Sequence, residues 1–421
     1  MKLIKKTKSR CPECLKIIDA SVCEKEDGVW MYKECDKHGK SEGFIEKDVK
    51  LYKTMMNEKE ETVPCRIVVV PITHRCNLNC KFCYVPKRDL REKTTEELKE
   101  EIRKIIKETD AYAITLAGGE PTLREDLFEL VKFISDEYPS KCTAILTNGL
   151  KLVDLDYVKK IKESGAIVTF SFNGFDEKVY QEINNTNLLN VKLEALKNLK
   201  EMQIPTTLSP TIFRGLNENE LKNIVQYALN NLDFIFEIRI RGGARVGRHG
   251  DNKPLQYSEM LSLVTEAFGK DRDYFLKRFS RDDCYHSIHQ FLIRLIIDDS
   301  SVKKEILGFI YDRHGKNTIN NKINKMVIFL KVLARRGIGR LLSTVIKAVI
   351  NRGNYKNYSE AYKNRLLLSK IDIRVLNLKM WWWTDRTNLD LNEMKAANIM
   401  HQTYDGRVLS FFDAIIMSDE L

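Results

Sequence analysis

The chain has 421 residues, of which 43% are hydrophobic and 31% are charged, with 20 glycines and 9 prolines. This composition excludes a collagen-like chain and a wholly disordered chain, and the length fits two or three folded domains. The 70 Lys and Arg residues exceed the 59 Asp and Glu residues by 11, and ten of the basic residues lie between Arg313 and Gly353, where no acidic residue occurs.

The hydrophobic pattern predicts neither a membrane-spanning helix nor a secretory signal. The most apolar stretch, residues 326–350, is interrupted by five Lys and Arg residues, and the basic residues at the start are not followed by an apolar segment. Several of the ten cysteines cluster at short spacings, which is typical of metal binding in a reducing compartment rather than of disulfide bonds. We therefore expect a cytoplasmic protein.

Residues 1–62 are rich in cysteine and histidine and predict a small metal-binding domain of the rubredoxin or zinc-ribbon type. Two short turns, separated by about twenty residues, each offer a pair of ligands suited to one tetrahedral Zn²⁺ or one mononuclear iron. A domain of this size has a small core, so the metal is expected to stabilise the fold. The alternative is that these cysteines, with Cys23, are ordinary buried small residues. The four candidate ligands are Cys11, Cys14, Cys35 and His38.

Residues 63–250 alternate apolar segments with helical patterns, and the first helix is expected to begin at a capping box formed by Thr94 and Glu97. Parallel strands joined by helical crossovers curl into a barrel, and such barrels carry their chemistry on the loops after the strands. We therefore predict an α/β fold built on a partial (βα)6 TIM-like barrel. The six strand candidates are residues 66–72, 112–117, 142–147, 166–172, 206–213 and 234–240.

The loop after the first predicted strand holds three cysteines, Cys76, Cys80 and Cys83, spaced C-x3-C-x2-C. Three thiolates on one short loop suit a [4Fe–4S] cluster and leave one iron without a protein ligand, open to a small molecule. The alternative is a zinc knuckle that takes a fourth ligand from His74 or elsewhere.

The loops after the next three strands are polar and rich in glycine. Gly118 and Gly119 would allow a ligand to approach the backbone closely, and Glu120 would accept a hydrogen bond from an ammonium group. The third predicted strand ends at Thr147-Asn148-Gly149 and the fourth at Ser171-Phe172-Asn173-Gly174. We expect all four loops to meet at one end of the barrel.

These residues resemble the radical S-adenosylmethionine (SAM) superfamily, whose signature is this three-cysteine loop with an aromatic residue, here Phe82, before the last cysteine. The resemblance implies that Cys76, Cys80 and Cys83 hold a [4Fe–4S] cluster. It further implies that the loop after strand two contacts the methionyl amino group of SAM, while the loop after strand four contacts its ribose and carboxylate. Asn173 stands where an Asp is more familiar in the family. The implied SAM contacts are Gly118, Gly119, Glu120, Ser171 and Asn173.

The same resemblance implies the reaction. The reduced cluster would cleave SAM to a 5′-deoxyadenosyl radical, which abstracts hydrogen from an unactivated C–H bond. An electron donor such as ferredoxin or flavodoxin and an anaerobic host are expected with this chemistry. The implied architecture is a radical SAM partial barrel over residues 63–250, with the N-terminal metal-binding domain and a mainly helical C-terminal region over residues 251–421.

A narrower resemblance, to the tetraether lipid synthase-like branch, covers most of the chain. It rests on the paired N-terminal metal turns, the loop at 71–78, the segment 118–127 and Gly247-Arg248. The sequence departs from that branch where auxiliary clusters are expected, because Cys284 stands alone and Met400 and Phe412 replace cysteines. Auxiliary clusters are therefore expected to be absent, and a simpler reaction than tail-to-tail coupling is favoured.

The basic segment at 313–353 has the pattern of an amphipathic helix pair with one apolar and one cationic side. It fits an anionic membrane surface, which would place the protein peripherally on the inner face of the membrane. It equally fits a core-facing helix with a solvated basic face. Nucleic acid is a weaker alternative, since basic charge without a recognised fold is little evidence. At least one of Trp381, Trp382 and Trp383 is expected to meet solvent, a partner or an interface.

Three functions follow from this sequence. The first is a radical SAM enzyme acting on a C–H bond of a hydrophobic substrate such as a lipid. The second is a radical SAM maturase that modifies a peptide or protein side chain. The third is a non-catalytic iron–sulfur protein that senses redox state or binds nucleic acid, and the glycine-glycine-glutamate loop beside the cysteines argues against it.

Overall fold

The structure is a computed structural model, and it describes ten segments of the chain. Residue 82, Gly247-Arg248, Cys284, the basic segment at 313–353 and residue 383 lie outside them, so the expectations for those residues stay predictions. The described residues are 1–55, 67–81, 83–85, 90–111, 113–243, 254–276, 290–296, 375–382, 384–395 and 399–418.

The N-terminal domain is a four-stranded antiparallel sheet in which each strand pairs with the next along the chain. Its two metal turns follow the first and third strands, so the sheet brings them to the same end. A short helix, α1 (Val49–Met55), follows the sheet. The strands are β1 (Lys2–Arg10), β2 (Ile17–Lys25), β3 (Gly28–Cys35) and β4 (Gly39–Glu46).

A large curled sheet forms the rest of the fold. Its hydrogen-bonded order is β12-β13-β11-β9-β8-β7-β6-β5-β14-β15, and β10 pairs with β11. The run from β14 through β13 is parallel, while β12 and β15 are antiparallel strands at the two edges. These strands are β5 (Ile67–Thr73), β6 (Ala113–Gly118), β7 (Cys142–Thr147), β8 (Ile167–Phe170), β9 (Thr206–Leu208), β10 (Thr211–Ile212), β11 (Ile235–Gly242), β12 (Gln290–Ile296), β13 (Val375–Trp381), β14 (Ile399–Gln402) and β15 (Val408–Ser410).

Most helices pack against the outer face of this sheet, whereas the last two pack in the core inside its curl. The first begins at the predicted capping box, because Thr94 Oγ1 accepts from Glu97 N at 3.2 Å and the Glu97 carboxylate accepts from Thr94 N at 2.7 Å. None of the described helices is long and apolar enough to cross a bilayer. The helices are α2 (Thr95–Thr109), α3 (Leu127–Glu137), α4 (Leu155–Ser164), α5 (Glu177–Asn184), α6 (Leu189–Glu201), α7 (Glu220–Asn230), α8 (Tyr257–Phe268), α9 (Arg272–Leu276), α10 (Leu391–Lys395) and α11 (Phe411–Ser418).

The strands alternate between two cores, as the period of two requires. Val68 and Val70 of β5 pack in the larger core under the helices, whereas Ile67 and Val69 pack in a second core inside the curl. Both cores are continuous over several strands, so the partial barrel predicted from the sequence is confirmed. The predicted domain boundaries at 62 and 250 stay predictions.

The described part of the C-terminal region contains strands as well as the expected helices. Its described residues form four helices, α8 to α11, but also four strands, and all four strands join the large sheet. β13 extends the sheet beyond β11, and β14 pairs with β5 at the other side. The rings of Trp381 and Phe411 meet at 5.2 Å, so aromatic packing links β13 to α11. Trp381 and Trp382 are both buried, in the inner and outer cores respectively.

The N-terminal domain is fastened to this C-terminal region by buried polar contacts. Arg10 donates to both carboxylate oxygens of Asp413, and Lys5 pairs with Asp390 and Glu393. Lys33, which is 4% exposed, donates to Arg386 O at 2.6 Å and, within its own domain, to Arg10 O at 2.8 Å. The contacts with the C-terminal region join residues more than 350 positions apart in sequence.

Candidate functional site

A cavity opens at the carboxyl ends of the parallel strands, and its space, counted together with the open solvent at its mouth, is about 840 Å³. It gathers residues from the loops after β5, β6, β7 and β8 and from the end of β11. The predicted site residues that line it are Cys76, Cys80, Cys83, Gly118, Gly119, Glu120 and Ser171. The structure therefore brings together seven of the residues that the sequence analysis assigned to cluster and SAM binding.

The three-cysteine loop is held from two sides. Its centre is fixed to α5, because Lys81 N donates to Ile183 O at 2.8 Å and Asn184 Nδ2 donates to Cys80 Sγ at 3.0 Å. Its start is fixed to the loop after β7, where Asn148 Nδ2 donates to Asn77 Oδ1 at 2.8 Å. The loop is thus positioned by hydrogen bonds from neighbouring elements.

The donor set fits an iron–sulfur cluster. Three sulfur atoms line one cavity, and soft thiolates are the ligands that iron–sulfur clusters use. His74, the fourth ligand considered for a zinc knuckle, instead lines a neighbouring pocket and packs edge-on against Tyr404 with ring centres 5.2 Å apart. The arrangement therefore favours a three-cysteine cluster over a zinc knuckle completed by this histidine.

Gly118, the last residue of β6, and Gly119, which follows it, have a packing role that the sequence analysis did not predict. A Cβ on Gly118 would lie 2.2 Å from Thr73 O, and one on Gly119 would lie 2.1 Å from Arg75 O. The backbone also donates across this contact, from Gly119 N to Thr73 O and from Glu120 N to Arg75 O, both at 2.8 Å. The glycines thus allow the loop to pack against the start of the cysteine loop, beside any contact with a ligand.

Glu120 is buried and ties two loops together. Its carboxylate accepts from Thr122 N at 3.1 Å, from Thr147 Oγ1 at 2.7 Å and from Asn148 N at 2.7 Å. One oxygen, Oε2, makes only the bond to Asn148 among those contacts. A role as acceptor for an ammonium group is compatible with this arrangement and stays a prediction.

Ser171 and Asn173, predicted together, are placed differently. Ser171 lines the cavity. Asn173 is 2% exposed, its Oδ1 accepts from Thr211 N at 2.9 Å, and its carbonyl accepts from Asn217 Nδ2 at 3.0 Å. The Asn173 side chain therefore holds β10 in place and does not line the cavity, because its amide oxygen is directed at the backbone of the next strand.

Lys192 is a site residue that the sequence analysis missed. It lies on α6 and is 2% exposed, and its Nζ donates to Asn148 O at 2.6 Å and to Ser171 O at 2.7 Å. Burial lowers the pKa of this ammonium group to about 8, while Cys80 and Glu120 act in the opposite direction. The sequence places this lysine on the same helical face as Ala195, Leu196 and Leu199, which are buried, and that pattern could have identified Lys192 as a buried residue.

A smaller pocket of about 470 Å³ adjoins the cavity. Tyr84 lines both, and its ring meets those of Phe411 and His401 at 6.0 and 6.5 Å. Burial raises the pKa of Tyr84 to about 12 and lowers the pKa of His401 to about 4. Both side chains are therefore uncharged at neutral pH. The side pocket, defined as this second pocket, offers a mainly aromatic and apolar wall to a bound molecule.

The N-terminal metal site is assembled as predicted. The ligand atoms of Cys11, Cys14, Cys35 and His38 all lie within 4.8 Å of one another, and the sulfurs of Cys11 and Cys35 are each 3.5 Å from His38 Nδ1. Backbone N–H groups of residues 37 and 38 lower the pKa of Cys35 to about 6, which favours the thiolate. Three thiolates and one imidazole fit a tetrahedral zinc or iron ion. Cys23 is buried elsewhere in the domain.

Comparison with known families agrees with this geometry. Residues 70–228, which include the three-cysteine loop and the loops after β6, β7 and β8, match the family described as the Radical SAM superfamily. Residues 70–228 are therefore a radical SAM domain. Residues 3–47, which hold the N-terminal metal site, match the family described as the HMPTM N-terminal zinc ribbon domain. The predicted cofactors, a [4Fe–4S] cluster, SAM and one zinc or iron ion, are those that this family and the Cys3His site use.

Two relatives are enzymes. The 7,8-dihydro-6-hydroxymethylpterin dimethyltransferase of Methanocaldococcus jannaschii is 33% identical over 301 residues, which is 62% of this chain and 58% of the relative. The GTP 3',8-cyclase of Aquifex aeolicus is 29% identical over 215 residues, which is 49% of this chain and 66% of the relative. The matches thus leave a third or more of each relative uncovered.

Solved structures are more distant. Streptococcus suis SuiB bound to the precursor peptide SuiA is 18% identical with a TM-score of 0.43, covering 52% of this chain and 48% of that chain. Methylornithine synthase is 18% identical with a TM-score of 0.39, covering 49% of this chain and 63% of that chain. Neither likeness bears on the substrate.

Proposed function

We propose that this chain reductively cleaves SAM and abstracts hydrogen from a C–H bond of a substrate that presents an apolar surface to the side pocket. The observation that carries the proposal is the single cavity lined by Cys76, Cys80, Cys83 and the glycine-glycine-glutamate loop. When bound there, the cluster and SAM supply one electron and a 5′-deoxyadenosyl radical, so the hydrogen transfer needs no acid or base from the protein.

The protein's own residues bind, orient and exclude water. Cys76, Cys80 and Cys83 are proposed to hold the cluster, and Gly119 and Ser171 to contact SAM where they line the cavity. The apolar lining keeps water from a reactive centre, which prevents side reactions. Asn173 is not part of this proposal, because its side chain is committed to Thr211 N.

The side pocket favours a substrate with a hydrophobic or aromatic body. Its lining includes the rings of His74, Tyr84, His401 and Tyr404 and the side chains of Leu90 and Ile415. A lipid tail would bury apolar area there, as our first hypothesis from the sequence requires. Delivery of that substrate from an anionic membrane surface, and ferredoxin or flavodoxin as the electron donor, stay predictions.

A second candidate substrate is a planar heterocycle that receives a methyl group. It is favoured by the relative from Methanocaldococcus jannaschii, named a pterin dimethyltransferase, whose match spans 301 residues. Aromatic walls such as those of the side pocket suit a flat ring as well as an apolar chain. The peptide maturase remains an alternative that the described residues do not favour over these two.

The proposal is tested by SAM cleavage under anaerobic conditions. Reconstituted, dithionite-reduced protein should release 5′-deoxyadenosine, and Cys80→Ala should abolish the release by removing a cluster ligand. Cys142→Ala, a buried cysteine of β7 outside the cavity lining, is the matched control and should retain the release. Absence of 5′-deoxyadenosine from wild-type protein that carries an intact cluster would contradict the proposal.

The substrate class is tested by isotope transfer. Lipids extracted from cells grown in deuterated medium, and deuterated 7,8-dihydro-6-hydroxymethylpterin, are supplied separately to the reduced enzyme. The substrate that gives up hydrogen transfers deuterium to 5′-deoxyadenosine, which mass spectrometry detects. Transfer from lipid alone supports the first candidate, and transfer from the pterin alone supports the second.

A further inference from the structure

Arg241 is a buried cation in the wall of the cysteine cavity. It lies near the carboxyl end of β11, it is 8% exposed, and it lines the same cavity as the three cysteines. Its Nε is buried and has no hydrogen-bond partner among the residues that the structure describes. Register places it beside Trp381 of β13. A buried donor in this position indicates that a bound ligand supplies the missing hydrogen-bond acceptor.

The neighbouring groups do not neutralise this charge. Glu237, the carboxylate on the same strand, accepts from Arg239 at 2.8 Å and from Lys379 at 3.0 Å. Tyr84 is uncharged at neutral pH, and Arg239 is a second cation. Within the described segments Arg241 forms no ion pair. Burial is the main reason that the pKa of Arg241 falls to about 10, and Arg239 contributes to the fall.

A buried charge without a partner is costly. Removing an ion from water costs several kcal/mol in a protein interior, and proteins recover this by pairing the ion or by binding a ligand of opposite charge. Arginine is also the side chain whose planar donors match the two oxygens of a carboxylate or a phosphate. An oxyanion is therefore the ligand chemistry that the pocket around Arg241 would take.

We propose that Arg241 binds an oxyanion of the substrate, a carboxylate or a phosphate group, so that the substrate joins an apolar body to an anionic group. The inference rests on the proposed function in so far as it assumes a substrate in this cavity. The predicted SAM contacts lie at the end of β6 and in the loops after β6 and β8, whereas Arg241 lies on β11, beyond β9 in the sheet order. This separation favours the substrate over SAM as the source of the anion.

The first test measures anion binding to the reconstituted enzyme with saturating SAM. Inorganic phosphate and acetate, titrated separately in chloride-free buffer, serve as probes for the phosphate and carboxylate sources. Wild-type protein should bind at least one probe at a single site, Arg241→Gln should weaken that binding at least tenfold, and Arg241→Lys should restore part of it. Arg214→Gln, which removes an exposed arginine paired with Glu259, should bind as wild type does.

The second test measures stability without any probe. Because Arg241 lacks a partner, Arg241→Met should raise the melting temperature of the ligand-free protein while it abolishes probe binding. A residue that served only the fold would behave in the opposite way. A fall in melting temperature would show that the guanidinium stabilises the protein, and it would contradict the inference.

Three other results would also overturn it. They are failure of wild-type protein to bind either probe, equal probe affinity in wild type and Arg241→Gln, and competition between the probe and SAM. The last result would assign the site to the carboxylate of SAM. Release of 5′-deoxyadenosine is measured on the same preparation, so a protein that binds the probe through Arg241 but does not cleave SAM refutes the proposed function and leaves the anion site standing.

Discussion

Two buried cations at the site differ in how their charge is satisfied. Lys192 donates to two backbone carbonyls, Asn148 O and Ser171 O. Among the described residues, the buried Nε of Arg241 has no hydrogen-bond partner. A buried cation that is hydrogen-bonded stabilises the fold, whereas a buried cation without a partner destabilises the fold and favours binding of an anion. The two residues should therefore respond in opposite ways to removal of the charge.

Lys192→Met is expected to lower the free energy of unfolding by about 2 kcal/mol, because it leaves two buried carbonyls without their charged donor. The loops after β7 and β8 lose a common anchor, so SAM affinity should fall as well. Urea unfolding and SAM titration measure the two effects. Lys197→Met on the same helix removes an exposed lysine paired with Glu194 and is the control. Equal stability of the two variants would refute the anchoring role.

Gly119→Ala is expected to disrupt the cysteine loop. The new Cβ would lie 2.1 Å from Arg75 O, so one of the two loops must move. Iron content after reconstitution should fall, and SAM binding should fall with it. Gly165→Ala is the matched control, because its Cβ meets nothing within 4 Å and only its φ of +72° is strained. A Gly119→Ala protein that takes up the full cluster would contradict this account.

At the residue scale, local patterns identified the site and tertiary packing completed it. The cysteines, the two glycines and the N-terminal ligands were predictable because their spacing along the chain already implies their chemistry. Lys192 and Arg241 were not, because each becomes part of the site only when α6 and β11 fold against other strands. Asn173 shows the converse, since a favourable position in sequence did not bring its side chain to the cavity.

At the element scale, the repeating strand and helix pattern predicted the six central parallel strands. The strands β13 and β14 were not predicted, because each follows a segment that lacks this repeat. They pair with strands far away in sequence, β11 and β5, and only the strand pairing in the folded structure reveals them. The strands of the C-terminal region were therefore not foreseen beside its helices.

The metal turns and the C-terminal elements are coupled through β1. Arg10, which precedes the ligand Cys11, pairs with Asp413 of α11, and Lys5 pairs with Glu393 of α10. Phe411 begins α11, and its ring packs edge-on against the ring of Tyr84, which lines the side pocket. Loss of the N-terminal metal should therefore loosen the elements that wall the side pocket.

Cys35→Ser is expected to speed amide hydrogen exchange in β1–β4 and in α10 and α11 by roughly 100-fold, because a structural metal contributes folding free energy directly. Mass spectrometry of exchanged peptides measures the change. Cys23→Ser, which alters a buried cysteine outside the ligand group, is the control. Faster exchange confined to the metal turns would show that the coupling to the C-terminal elements is absent.

At the scale of the whole molecule, the fold is a radical SAM partial barrel flanked by C-terminal strands. The N-terminal metal domain is joined to the C-terminal region by ion pairs. The aromatic contact of Trp381 with Phe411 links β13 to α11. The cavity at the strand ends holds all three cysteines. The proposed SAM cleavage therefore requires that these cysteines hold a cluster with an iron open to SAM.

Electron paramagnetic resonance of the reduced, anaerobically reconstituted protein tests that claim most directly. We predict the signal of a reduced [4Fe–4S] cluster that changes when SAM is added, because SAM binds at the iron without a protein ligand. Cys83→Ala should lose the signal. A protein that binds only zinc at the three cysteines, or a cluster signal unaffected by SAM, would contradict the account.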